Sequence, residues 1–176
     1  YAKNDSLKVY DTDTGKLITD TAVEPVEGPQ SAMMNNEGDG YVWLELRDND
    51  RYETTATRVY GPEGLVSDLT HLQSKYYFLN YLTTTPEGRP LYYGTAEAPS
   101  RNGSLCDVLD ETGNVALGLG DLGGCYSYYS NSLNQLPDHV FVARRGFYYG
   151  WMDTDGKWLY CQSIFSSINA DDEMGY

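Results

Sequence analysis

The strongest constraint on what this chain can fold into is a phrase it repeats four times: an apolar pair, a short acidic or polar turn, a glycine and a second apolar stretch. The copies occupy residues 9–18, 59–66, 108–115 and 151–159, and their turn glycines, Gly15, Gly64, Gly113 and Gly156, stand 49, 49 and 43 residues apart. A period of this size marks a repeat architecture, in which no unit buries its own apolar face and each must stack on its neighbours. Each copy reads as a β-hairpin. The glycine supplies the positive φ that closes the turn, and the Asp or Thr before it bonds the turn backbone.

Between the copies, alternating and β-branched runs at residues 41–46, 51–57, 75–81, 89–94, 139–144 and 147–150 read as further strands. Loops are expected at 24–29, 35–40, 83–88, 98–103 and 118–124, and only 67–74 and 163–170 suit a helical turn. The expected fold is therefore all-β: an antiparallel repeat architecture of about four hairpin-based units with three or four strands each. A single domain over residues 1–176 is expected, with unit joints near 48, 100 and 145. The fourteen residues before Gly15 and the twenty after Gly156 together make a short fourth unit. A propeller-like ring would close by pairing residues 3–10 with a strand from 159–168, which removes exposed edges. The rival is an open β-solenoid array.

Charge narrows the partners. With 26 acidic residues against 12 basic ones, the net charge of −14 opposes a phosphate backbone, so nucleic acid is excluded as a partner. The same field repels anionic lipid, and no apolar run approaches the ~20 residues of a spanning helix, so no membrane insertion is expected in this segment. The chain opens on Tyr1 rather than methionine, and any signal peptide or anchor is expected to lie outside it. The three cysteines, Cys106, Cys125 and Cys161, form neither a Cys-x-x-Cys nor a Cys/His cluster, which argues against structural zinc. In an oxidising compartment one pair can close, Cys106 and Cys125 being nearest in sequence; buried free thiols are the simpler reading.

No catalytic constellation stands out. His71 and His139 lack a Cys, Ser or acid at motif spacing and read as surface or packing residues, and no phosphate-cradling glycine loop is present. The phrases containing Asp11, Asp13, Asp153 and Asp155 invite a calcium reading, because carboxylates at alternate positions ahead of a glycine open calcium loops. They lack the third acid and the downstream bidentate Glu, and turn chemistry accounts for them, so no metal and no cofactor is expected. The 17 tyrosines are the better lead. Tyr92, Tyr93, Tyr126, Tyr128, Tyr129, Tyr148, Tyr149, Trp151 and Trp158 fall in strand-like or adjoining segments where successive side chains point oppositely, so rings must face outward or lie between units. Exposed Tyr and Trp give rigid amphipathic surface for a glycan or a protein, although inter-unit packing alone would use many of them.

Residues 140–160, with Arg144-Arg145-Gly146, the aromatic-glycine pair Tyr149-Gly150, the Trp151-Met152-Asp153 run and Gly156-Lys157, resemble the WG-repeat (KWG-type) family of bacterial proteins. The copy at 105–115 fits the turn, and the two earlier copies keep the apolar pair, turn and glycine. The resemblance implies an all-β repeat protein, often exported or surface-attached, with binding or interaction roles and no catalytic residues to carry over. The expected function is accordingly a non-enzymatic extracellular binding module of a bacterial surface or secreted protein, its partner a protein or glycan. A carbohydrate-active enzyme built on an acid pair, or a glycan-binding domain on an aromatic platform, is one alternative, and a structural spacer of a larger surface protein is another.

Overall fold

The structure is a computed structural model that describes residues 6–10, 14–22, 30–36, 40–51, 53–97, 104–121, 123–126 and 136–165. It is all-β and antiparallel, with fourteen strands and one 3-10 turn among the described residues. They form two compact units, Tyr1–Gln73 and Ser74–Tyr176. No helix among the described residues is long and apolar enough to cross a membrane.

In the first unit β1 (Ser6–Tyr10) and β2 (Leu17–Ala22) make a two-stranded hairpin, the first sheet. The second sheet is a meander of β3 (Gln30–Asn36), β4 (Val42–Asp48), β5 (Thr54–Gly61) and β6 (Gly64–Asp68), followed by the 3-10 turn Thr70–Leu72. Leu44, Leu46, Ala56 and Tyr60 form its buried cluster, with Val42 packed against it. Arg58, itself buried, reaches Asp68 across the β5–β6 pair at 3.3 Å.

The second unit carries two more four-stranded meanders. The third sheet runs through β7 (Phe78–Thr84), β8 (Pro90–Glu97), β9 (Ser104–Leu109) and β10 (Val115–Asp121). The fourth runs through β11 (Gly124–Tyr126), β12 (Val140–Arg145), β13 (Tyr148–Asp153) and β14 (Trp158–Ser163). Their facing sides share one core: Leu82, Leu91, Tyr93, Cys106, Val108 and Leu119 from the third sheet meet Cys125, Phe141, Ala143 and Met152 from the fourth.

Three of the four copies of the repeated phrase fall at the same place in their sheets. Gly64, Gly113 and Gly156 each sit between the third and fourth strands of a meander, and Gly15 sits between β1 and β2. The positions expected as joints, near 48, 100 and 145, lie at the end of β4, between β8 and β9, and at the β12–β13 turn. The second sheet ends at Asp68 and the third begins at Phe78, and the third ends at Asp121 and the fourth begins at Gly124, so in these three sheets the phrase is the last hairpin. The stretch 118–124, expected as a loop for its glycines, is largely strand: β10 runs through Asp121, Leu119 is buried, and β11 begins at Gly124. A Cβ on Gly118 would stand 3.6 Å from the Asp107 carboxylate, an ordinary contact, whereas Gly120 takes a positive φ of +76°. The loop expected at 35–40 likewise begins as strand, with β3 continuing through Asn36. β1 pairs with β2 and β14 with β13; residues 3–5 and 166–168 of the expected closing pair lie outside the described residues.

The third and fourth phrases build the same turn. The Asp110 N–H donates to the Asn114 carbonyl (2.9 Å) and the Gly113 N–H returns to the Asp110 carbonyl (2.9 Å); Asp153, Lys157 and Gly156 repeat this at 3.0 Å and 3.0 Å. Both glycines take positive φ, +84° and +80°, the left-handed residue that completes a three-residue hairpin loop. Thr85 to Arg89 uses the same turn between β7 and β8, with a threonine where the others have Asp.

Candidate functional site

Alternation along the last three strands sorts their residues onto two faces. Phe141, paired with Met152 and through it with Trp158, points into the core shared with the third sheet. The cross-strand rows Val142, Trp151, Tyr160 and Arg144, Tyr149, Gln162 occupy the other face. Gly150 lets β14 pair this closely, because a Cβ there would run into the Tyr160 carbonyl and come within 2.8 Å of Cys161 Cα.

On that second face the Trp151 and Tyr160 rings stand 6.1 Å apart, tilted by 59°, and are 46% and 52% exposed. Beside them the Tyr160 hydroxyl donates to Gln162 Oε1 (3.1 Å), and Gln162 Nε2 donates to the half-buried Tyr149 hydroxyl. The Arg144 guanidinium is tied down by the Gly146 carbonyl at 3.1 Å. The result is two half-exposed rings with a fixed row of amide and hydroxyl groups alongside. At the end of the same hairpin Phe147 and Phe165, each about half exposed, pack at 5.2 Å, and Tyr148 is exposed.

Other aromatics named from sequence are placed differently. Tyr92 and Tyr93, adjacent in β8, are both buried: Tyr92 meets Tyr81 edge-on at 6.4 Å, and Tyr93 packs in the core and on Phe78 at 5.6 Å. Trp158 lies against the same core. The structure thus places Tyr92 and Tyr93 in packing positions within β8 and Trp158 partly buried on the inward face of Met152. Tyr126 ends β11, with nothing described of its side chain, and Tyr128, Tyr129, Asp11 and Asp13 lie outside the described residues. Asp153 Oδ1 accepts from the backbone N–H groups of Asp155 (3.1 Å) and Lys157 (2.9 Å), as Asp110 does from Thr112 and Asn114. Tyr160 and Gln162 are not among the residues singled out from sequence: the register shifts between Trp158 and Tyr160, so simple alternation from Trp158 does not find the outward row.

The second unit also holds a buried polar cluster. Tyr76 lies over Gly94, where a Cβ would come within 2.7 Å of the ring, and its hydroxyl donates to Asp107 Oδ2 at 2.6 Å. Lys75 Nζ reaches the same carboxylate at 3.6 Å and the Tyr76 hydroxyl at 2.5 Å. Burial, then the hydrogen bond and charge of Asp107, push the Tyr76 phenol far above its ordinary value. A phenol so held serves neither as base nor as nucleophile near neutral pH, so the cluster locks the segment before β7 onto β8 and β9. His139, in the left-handed region at φ 63°, donates from Nδ1 to the Thr84 carbonyl at 2.8 Å, a packing role.

A family model described as "Domain of unknown function (DUF5046)" matches residues 1–172. The chain belongs to the DUF5046 family. No curated protein and no solved structure matches it. Among the described residues of this DUF5046 chain, the fourth sheet carries a half-exposed aromatic face at Trp151 and Tyr160.

Proposed function

We propose that this DUF5046 chain is a non-enzymatic binding or interaction module of an exported or surface-attached bacterial protein, and that it docks its ligand on the Trp151–Tyr160 face. One observation carries the reading: two large rings half exposed on one sheet face, with the side chains of Tyr149, Gln162 and Tyr160 already linked beside them. Flat rings flanked by fixed hydrogen-bonding groups suit the apolar face and hydroxyl edge of a sugar ring, and equally an amphipathic protein surface. We read the sheets as units of a propeller-like repeat related to the WG-repeat pattern, supported by the place of the phrase between third and fourth strands in all three four-stranded sheets.

The test is an array of glycans and bacterial surface proteins probed with the native chain and with Trp151→Ala. A ligand whose affinity falls at least about tenfold in the variant, at unchanged melting temperature, supports the reading. No ligand on either array, together with turnover of a glycoside substrate, would replace it with the enzymatic alternative.

A further inference from the structure

We propose that Cys106 and Cys125 are the two halves of a disulfide that staples the third sheet to the fourth. Cys106 lies in β9, opposite Thr95 of β8; Cys125 lies in β11, opposite Ala143 of β12. The two strands belong to different sheets, and both cysteines are members of the buried core that those sheets share. The thiol sulfurs stand 2.9 Å apart, nearer than two unbonded sulfur atoms rest, and both residues are 1% exposed. Cys161, in β14, is exposed and belongs to neither. A core that merely needed small apolar residues at these positions would not require two sulfurs facing one another across a sheet interface.

Bond formation is a two-electron oxidation, and the oxidant it requires is an external disulfide of the kind that an oxidising compartment supplies. The Cys106 thiolate attacks one sulfur of that disulfide, forming a mixed disulfide and expelling the other sulfur as a thiolate. The Cys125 thiolate then attacks the Cys106 sulfur, forming the internal bond and expelling the second thiolate. The two protons lost by the cysteines end on the two released thiols, and the external disulfide takes up both electrons. Because both sulfurs are buried, exchange takes place before the core between the two sheets closes, and the finished bond is shielded from reductant.

The test uses the intact chain refolded in a buffer of oxidised and reduced glutathione, then denatured and treated with a maleimide. The expected result is one label, on Cys161, against three after prior reduction, with a linked pair of peptides carrying Cys106 and Cys125 in the non-reduced digest. Chain refolded in reductant should melt on the order of 10 °C below the oxidised chain, since the bond closes a loop of about twenty residues. Cys106→Ser should leave Cys125 open to the label, and Cys125→Ser should leave Cys106 open. Three labels after glutathione equilibration, or a bond involving Cys161, overturns the proposal; neither readout depends on the serine variants folding.

Discussion

The two faces of the fourth sheet are made from the same kinds of residue and meet opposite fates. Inward, Phe141, Ala143 and Met152 are buried to 1% or less, and Trp158 packs on them. Outward, on the same strands and one residue out of step, Trp151 and Tyr160 remain about half exposed. Aromatic content therefore says little about role in this chain; the phase of the alternation decides it. One phase supplies the core shared with the third sheet, the other supplies a surface. If that division is right, substitutions on the two faces should separate stability from binding.

The largest effect belongs to the inward face. Phe141→Ala removes a ring from the centre of the core between the third and fourth sheets and should cost about 3–5 kcal/mol, read from chemical denaturation of the native chain. A loss under about 1 kcal/mol would mean that the two sheets do not depend on their shared core, and the contrast would fail.

Gly150→Ala tests the backbone that sets the phase. Its Cβ meets the Tyr160 carbonyl and Cys161 Cα, which are main-chain atoms that cannot swing aside. The expected cost is roughly 1–3 kcal/mol. The register of β13 against β14 should loosen with it, visible as faster amide exchange at Trp151 and Tyr160. Gly156→Ala is a useful partner, strained by its positive φ of +80° rather than by strand packing alone.

These sites show how much could be read before any coordinates. The turn phrase was legible because its requirement is local: an Asp that bonds its own turn and a glycine at positive φ are written within five residues. Its repetition established an all-β chain of hairpin units. The phase of the repeat was not legible, because a hairpin does not say whether it opens or closes a sheet; that depends on pairings such as β3 with β4 and β11 with β12. Likewise Tyr92 and Tyr149 both sit in aromatic pairs flanking a glycine, yet Tyr92 is buried and Tyr149 borders the surface. Only the number of sheets covering a strand distinguishes them, and that is a tertiary fact. Gly118 and Gly120 read as loop because glycine disfavours strands in isolation, yet β10 carries both, Gly120 at a positive φ of +76°.

A smaller effect is expected at the shared turn. Burial raises the Asp110 carboxyl, but hydrogen bonds from the Thr112 hydroxyl and from the backbone N–H groups of Asn114, Thr112 and Gly113 outweigh it, leaving the group below its ordinary 3.8. Asp68 is lowered in the same sense, with burial opposed by Thr70 and Arg58. For a carboxyl lowered on folding, the contribution is complete above the unfolded value and is lost as pH falls through the folded one. Both groups should therefore add to stability at neutral pH, begin to lose that contribution near pH 4 and lose it as pH falls through their lowered values. Asp110→Ala should cost about 1 kcal/mol at pH 7 and progressively less on acidification, measured by denaturation at pH 7, 5 and 3. An equal cost at all three would assign the effect to turn propensity rather than to the charged carboxylate.

The smallest stability effect should come from the outward face, and it carries the most information. Trp151→Ala removes a half-exposed ring whose cross-strand contact with Tyr160 is worth roughly 0.5–1 kcal/mol. That is several-fold below the expected cost at Phe141, ten positions earlier on the neighbouring strand. If the face only awaited further packing within the chain, Trp151→Ala and Phe141→Ala would fall in the same range. If it is a contact surface, stability should hardly move while ligand capture disappears. Tyr160→Phe refines the point: it keeps the ring and removes the hydroxyl that donates to Gln162. Retained binding in Tyr160→Phe with loss in Trp151→Ala would assign recognition to the ring faces. Loss in both would assign it to the hydrogen-bonded row of Tyr149, Gln162 and Tyr160, as expected for a sugar hydroxyl edge rather than an apolar protein surface.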